Sequence, residues 1–185
     1  MKIVAIVQAR MGSKRFPGKI LKKINGIATL EILLKRLKKA KNLDEIIVAT
    51  SKKSDNYPLI KFLESINQKY YHGSEEDVLE RYYQVALKQK ADVIVRITGD
   101  CPLVDSKIVD NCIELFKSKN VDYLSNIIPP SFPDGLDVEV FSFSSLKKAW
   151  QKSFRKTDRE HVTTYIIKEN SFKKYNLKNP IDYSS

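Results

Sequence analysis

Arg10, Lys14, Arg15 and Lys19 crowd into QARMGSKRFPGK, directly after the five uncharged apolar residues Ile3 to Val7. Such a group suits an anionic phosphate, because arginine supplies a planar fork of donors and lysine a mobile point charge. Gly12 relaxes the backbone, Ser13 offers a hydroxyl, and Pro17-Gly18 turns the chain before Lys19. The loop can therefore fold back over a ligand with amides and cations inward. A basic loop is also an ordinary solvated turn, but this one stands at the carboxyl end of a strand, where open α/β sheets bind ligands. The second centre of chemistry is Asp100. It follows the apolar run Val93 to Thr98 and Gly99, and Pro102 turns the chain away. Its carboxylate would face the same crevice as a hard oxygen ligand suited to Mg²⁺. Asp105 is explained by helix capping alone.

The elements that must position these residues follow from periodicity. Ile3 to Val7 reads as a buried parallel strand. Leu30, Ile32, Leu33, Leu34 and Leu37 form a helical apolar face, and Glu45 to Thr50 a second strand. A helix from about Pro58 to Ile66 and a short strand at Tyr70-Tyr71 come next. Ser74 with Asp77 has the form of a capping box for a helix through Val78, Tyr82, Val85 and Ala86. Val93 to Thr98 is the fourth strand, and Asp105 caps a helix carrying Ile108, Val109, Cys112, Ile113 and Phe116. This alternation predicts an α/β fold with a mostly parallel sheet and right-handed crossovers for roughly the first 120 residues. Three prolines between Ile127 and Pro133 then imply a shaped loop. Val138 to Phe143 resumes as a strand, Ser144 begins a helix, and Thr157 with Glu160 forms a second capping-box pattern for a helix to about Glu169. There is no internal repeat or low-complexity tract.

At 185 residues and 42% hydrophobic content, the chain is sized for one domain with a single substantial core. The formal net charge of +11 points to an anionic partner without choosing among nucleotide, nucleic acid and acidic sugar. Much of that charge lies in runs such as Lys35 to Lys41 that read as solvated helix faces. Cys101 and Cys112 stand in no CxxC pair or metal-ligand spacing, so structural zinc and a disulfide framework are not expected. The amino terminus has no leader pattern, and no apolar run approaches the roughly 18 residues of a membrane span. The expectation is a soluble cytoplasmic protein with no membrane or nucleic-acid partner. A nicotinamide dehydrogenase is disfavoured because no GxGxxG follows the first strand, and a Walker ATPase because GxxxxGK[ST] is missing. A metal-dependent glycosyltransferase would share the architecture and the strand-end Asp.

Gln8 to Lys19, taken whole, resembles the opening signature of the sugar cytidylyltransferases, in particular the spore-coat-polysaccharide branch beside the acylneuraminate and 3-deoxy-manno-octulosonate cytidylyltransferases. His72 to Tyr82, Arg96 to Asp105, Asp134 to Val140 and Arg159 to Thr163 resemble that branch in the same order. The resemblance implies a Rossmann-like three-layer sandwich of the nucleotide-diphospho-sugar transferase type. It implies Mg²⁺-dependent transfer of CMP from CTP to a hydroxyl of an acidic, nonulosonic-acid-like sugar, with release of pyrophosphate, in surface glycan synthesis. Arg10 and Lys19 are then expected on the triphosphate, with Ala9, Gly12 and Ser13 close by and Asp100 on the metal. Thr50, Ser51, Gly73, Ser74 and Asp77 are expected where base and ribose lie. Asp134, Asp137, Glu139, Glu160 and His161 are expected near the acceptor, Asp137 and Glu139 on one face of a strand by the two-residue period. Relatives of the family commonly form dimers and continue past Ser185 into a segment with a second metal-ligand motif. The expectation is thus one nucleotidyltransferase domain over 1–185 lacking that segment, with a nucleotide-binding but catalytically incomplete domain as the alternative.

Overall fold

The computed structural model describes residues 1–13 and 16–184. In chain order the elements are β1 (Ile3–Gln8), β2 (Lys23–Ile24), β3 (Ile27–Ala28), α1 (Thr29–Leu37), β4 (Glu45–Ser51), α2 (Tyr57–Ser65), β5 (Tyr70–Gly73) and α3 (Val78–Lys88). There follow β6 (Val93–Thr98), α4 (Ser106–Lys119), β7 (Tyr123–Ser125), β8 (Glu139–Ser142), α5 (Phe143–Lys152), α6 (Lys156–His161), α7 (Thr164–Lys168) and β9 (Lys174–Asn176). Seven strands form one sheet in the order β5-β4-β1-β6-β8-β7-β9. The first four are mutually parallel, as the βα alternation predicts. β8 then enters antiparallel to both β6 and β7, and β9 closes the edge parallel to β7.

The strands divide their apolar side chains between two layers. Ala5, Val7, Val48, Val95 and Ile97 pack toward α1, α2 and α4, while Val4, Ile6, Ile47, Ile94 and Phe141 pack toward α3, α5 and the segment around Val162 and Ile166. That division is the period of two applied to strands buried on both faces. It yields the three-layer sandwich that the resemblance implies.

Local chemistry sets the element ends. Asp105 Oδ1 accepts from the amides of Lys107 and Ile108, so the expected cap of α4 is present. The start of α3 differs from expectation. Ser74 Oγ accepts from the Asp77 amide, but Asp77 is itself the cap and accepts from the Glu80 amide, because the helix begins at Val78. Thr157 makes no capping bond. Instead of one helix to Glu169, the chain forms α6 and α7 separated at Val162. The hairpin β2–β3 was not anticipated, although its signal is present: Asn25-Gly26, both at positive φ (49° and 80°), supply the turn that a two-residue hairpin needs.

The carboxyl ends of β1 and β6 meet at Gly99. Its amide donates to the Gln8 carbonyl at 2.7 Å, and an added Cβ would lie 2.7 Å from that same oxygen and 2.9 Å from the Ala9 Cβ. Only glycine lets the two strand ends approach so closely. Gly99→Ala is therefore expected to destabilise the protein by about 1–3 kcal/mol, the usual range for forcing atoms into a packed site. Denaturant unfolding measures this directly, and an unchanged midpoint would show that the strand ends can part without cost.

Candidate functional site

Above that junction lies a cleft of about 570 Å³ whose walls include Gln8, Arg10, Gly12, Ser13, Lys19 and Ile20 from the first strand and its loop. Lys53, Glu75, Thr98, Asp100 and Glu160 complete it. The two centres singled out from the sequence thus share one cavity at the carboxyl end of the parallel strands, where such sheets place their ligands.

The loop after β1 is shaped by its own backbone and by one buried side chain. The amides of Ser13 and Gly18 both donate to the Met11 carbonyl, at 2.9 and 3.0 Å, and Gly18 supplies the positive φ of 68° that the turn requires. Asn56, buried to 1% exposure, accepts from the Met11 amide at 2.8 Å and donates to Ser51 Oγ at 2.7 Å. It ties the loop to the end of β4. Lys14 and Arg15, the other two cations of the basic loop, lie outside the described residues.

Arg10 and Lys19 each have a carboxylate partner at the cleft. Arg10 Nη1 donates to Glu75 Oε1 at 3.2 Å, and Lys19 Nζ donates to Asp100 Oδ2. Burial would raise the Asp100 carboxyl, but the hydrogen bond and charge of Lys19 outweigh it and hold the group below the ordinary carboxylate range. Burial acts the same way on Glu75, and there Ser51 and Arg10 reverse it, with Lys53 adding its charge. Lys53 is a cleft cation that the sequence reading missed; its only signal was its place two residues past β4.

Mg²⁺ asks little of the protein: one or two carboxylates, with substrate phosphates and water filling its octahedron. No three His, Cys, Asp or Glu converge among the described residues. Asp100, ionised and with 44% of its side chain exposed, meets the smaller requirement. The donor set fits Mg²⁺ held jointly with a phosphate ligand.

Several of the expected residues lie outside the lining of this cleft. Thr50 and Ser51 are fully buried rather than facing the cleft, since β4 continues through them. Gly73 packs against the stem of Arg81, and Asp77 is taken up by its helix cap and by Arg159, at 2.5 Å. Ala9 is buried at the strand junction, and Ser74 is exposed with its hydroxyl spent on the Asp77 amide. Glu139 is the largest departure. It is 2% exposed, and its carboxylate is filled by Arg96, by the Tyr123 hydroxyl at 2.7 Å and by the Thr163 hydroxyl at 2.7 Å. Buried and bonded at both oxygens, it is not among the residues that line the cleft. Of the pair Glu160-His161, only Glu160 lines the cleft; His161 is exposed elsewhere on α6.

Asp134 is exposed and Asp137 half-buried, and both precede β8 rather than lying within it. Asn126 fixes this segment, accepting from the Val138 amide and donating to the Leu136 carbonyl, both at 2.8 Å. Burial first, then the charges of Asp134 and Glu139, raise the Asp137 carboxyl, with Asp100 adding to the effect.

The family model described as Cytidylyltransferase matches residues 4–184. An uncharacterised protein of Methanocaldococcus jannaschii is 46% identical over 183 residues, 97% of this chain and 73% of that protein. The spore coat polysaccharide biosynthesis protein SpsF of Bacillus subtilis is 34% identical over 174 residues, 89% of this chain and 69% of its own length. A solved cytidylyltransferase structure from Leptospira borgpetersenii superposes with a TM-score of 0.95 at 34% identity, covering all of this chain and 79% of that one. The chain belongs to the cytidylyltransferase family.

A carboxyl whose pKa is raised on folding binds its proton more tightly in the native state. Ionisation of Asp137 therefore opposes folding once the pH passes the unfolded value of about 3.9, and the opposition is complete above the raised native value. Asp137→Asn is expected to stabilise the fold at pH 7, on the order of 0.5 kcal/mol, with the gain vanishing as the pH falls below about 4. Thermal unfolding of both proteins across that range tests this; a gain independent of pH would reject the electrostatic cause.

Proposed function

We propose that this enzyme of the cytidylyltransferase family transfers CMP from CTP to a hydroxyl of an acidic, nonulosonic-acid-like sugar, with Mg²⁺, in the synthesis of surface glycan precursors. The observation that carries the reading is the pairing of Arg10 with Glu75 and of Lys19 with Asp100 in a single cleft. A triphosphate brings the negative charge that both cations are placed to meet. As it enters, Arg10 and Lys19 exchange their carboxylates for phosphate oxygens, and Asp100 is released. Lys53 adds a third cation to the same wall.

When bound, Mg²⁺ would neutralise charge on the triphosphate while the bond to pyrophosphate breaks. Asp100 is the residue that would hold it. The acceptor oxygen attacks the α-phosphorus, the bond from that phosphorus to the pyrophosphate oxygen breaks, and the acceptor's hydroxyl proton leaves to a base or to water. Gly12 exposes backbone with nothing crowding its missing side chain, so the ligand can approach closely there. Glu160 and the Asp134–Asp137 segment form the acceptor side, where carboxylates accept hydrogen bonds from sugar hydroxyls.

Calorimetric titration with CTP, GTP, UTP and ATP, each with and without Mg²⁺, tests the nucleotide. Pyrophosphate release with 3-deoxy-manno-octulosonate and N-acetylneuraminate tests the acceptor class. Selective, metal-enhanced CTP binding supports the reading, and equal binding of all four nucleotides rejects it. Lys19→Ala is expected to weaken CTP by about tenfold or more, the scale of one charge-assisted hydrogen bond, and CMP far less. The same variant should bind Mg²⁺ more tightly than the parent in the absence of nucleotide, because Asp100 no longer has an ammonium partner. Equal losses for CTP and CMP would remove Lys19 from the triphosphate role.

A further inference from the structure

Val162 joins α6 to α7 at φ 59° and ψ −59°, and the Thr163 amide donates across it to the His161 carbonyl at 2.6 Å. This is the geometry of the γ-turn proper, which is rare and strained. Val162 is β-branched and 0% exposed, the kind of residue least tolerant of positive φ. Strain of this kind persists only where the surroundings overdetermine it, and it gathers at functional sites.

The surroundings here are specific. Immediately after the turn, Thr163 donates its hydroxyl to Glu139 Oε1 at 2.7 Å, and Tyr123 donates to the same oxygen at 2.7 Å. Arg96 holds the other oxygen from directly across the β6–β8 ladder, since Arg96 and Glu139 are register partners. Earlier on α6, Arg159 donates to Asp77 at 2.9 and 2.5 Å and to the Trp150 carbonyl at 2.8 Å. The short helix is thus pinned on both sides of Glu160, the one residue of α6 that lines the cleft. Val162 also packs into the apolar layer under α3 and α5. The turn ends α6 abruptly just after Glu160, which stays on the cleft wall.

We propose that Thr163 and the buried Glu139 are positioning residues, a clamp that holds the strained turn at Val162 and thereby aims Glu160 at the acceptor. The clamp rests on the acceptor-side reading given above only for its consequence in catalysis; the geometric part stands without it. Thr163→Val keeps shape and removes the donor, leaving Glu139 bonded to Tyr123 and Arg96. Thr163→Ser restores the hydroxyl.

A crystal structure of Thr163→Val reads the geometry with no acceptor needed. Val162 is expected to leave positive φ and the Glu160 carboxylate to leave the cleft wall, whereas an unaltered turn would overturn the clamp. Kinetics then read the consequence, using CTP and whichever of 3-deoxy-manno-octulosonate and N-acetylneuraminate releases pyrophosphate. Thr163→Val should lower kcat/KM for the acceptor roughly tenfold or more, the scale of a misplaced binding group, while the Kd for CTP stays unchanged and Thr163→Ser restores activity. Because the clamp acts through Glu160, Thr163→Val should add nothing in a Glu160→Gln background. Additive losses, or a matching loss of CTP affinity, would mark Thr163 as merely structural and reject the proposal. A Glu160→Gln variant with unchanged acceptor kinetics, or a parent protein that binds CTP but uses neither sugar, would instead reject the acceptor-side reading and leave the crystal structure to decide the clamp.

Discussion

The contact between Gly99 and the end of β1 is the constraint on which the site depends. Asp100 and the cationic loop are some eighty residues apart in sequence, and they share a cleft because β1 and β6 run side by side and their last residues touch. Any side chain at position 99 would run into the Gln8 carbonyl and Ala9 at the end of β1. The apolar strands supply the energy for this approach through two buried layers, and the missing Cβ supplies the room. Thus the sheet does more than carry the loops: its register sets the distance between the cationic loop proposed to bind phosphate and the carboxylate proposed to bind metal.

A second constraint crosses the sheet lower down. Arg96 and Glu139 form a buried pair, with Tyr123 and Thr163 satisfying the remaining lone pairs of the carboxylate. Burial would lower the Arg96 guanidinium, yet the charge of Glu139 more than reverses it and drives the value upward, so the guanidinium stays charged. Such a pair adds little over a well-packed apolar core, but losing one partner typically costs about 3–5 kcal/mol because the other charge is left stranded. Its use is specificity. It fixes the antiparallel entry of β8 between β6 and β7, where apolar side chains alone would tolerate a shifted register. The same four residues tie the sheet to the α6–α7 junction, so Glu160 on α6 is referenced to the strands that carry Asp100.

The parallel half of the fold was legible because its strands are continuous apolar runs and its helices have clear faces; Val93–Thr98 was read to the residue. The short strands β7 and β9 escaped, since three residues carry too little pattern to stand out. Arg10, Lys19, Asp100 and Glu160 were legible as cleft residues because they are polar groups at strand or helix ends. Glu139 misled for an instructive reason. The two-residue period relates it to Asp137, but that period says nothing about depth, and one step along the strand carries the side chain from the rim to the core. Asn56 gave no signal, because what matters about it is a partner 45 residues away in sequence, and Lys53 gave only its place two residues past β4.

The resting pairing of cations with carboxylates bears on how a strongly basic protein stays selective. With a net charge of +11, an unpaired cationic cleft would attract any phosphate, including monophosphates and nucleic acid backbones. Here Arg10 and Lys19 are paired with Glu75 and Asp100, so part of their charge is already offset before a ligand arrives. Under the proposed reading, a triphosphate offers these cations more negative charge than a single phosphate does. Asp100 would then exchange its ammonium for a divalent cation arriving with the phosphates, while Glu75 keeps Ser51 and the nearby charge of Lys53. The cost of breaking the pairs would be best recovered by a ligand that brings both a polyphosphate and its metal. By this argument, discrimination against the wrong anions resides in the carboxylates of the cleft as much as in its arginine and lysines.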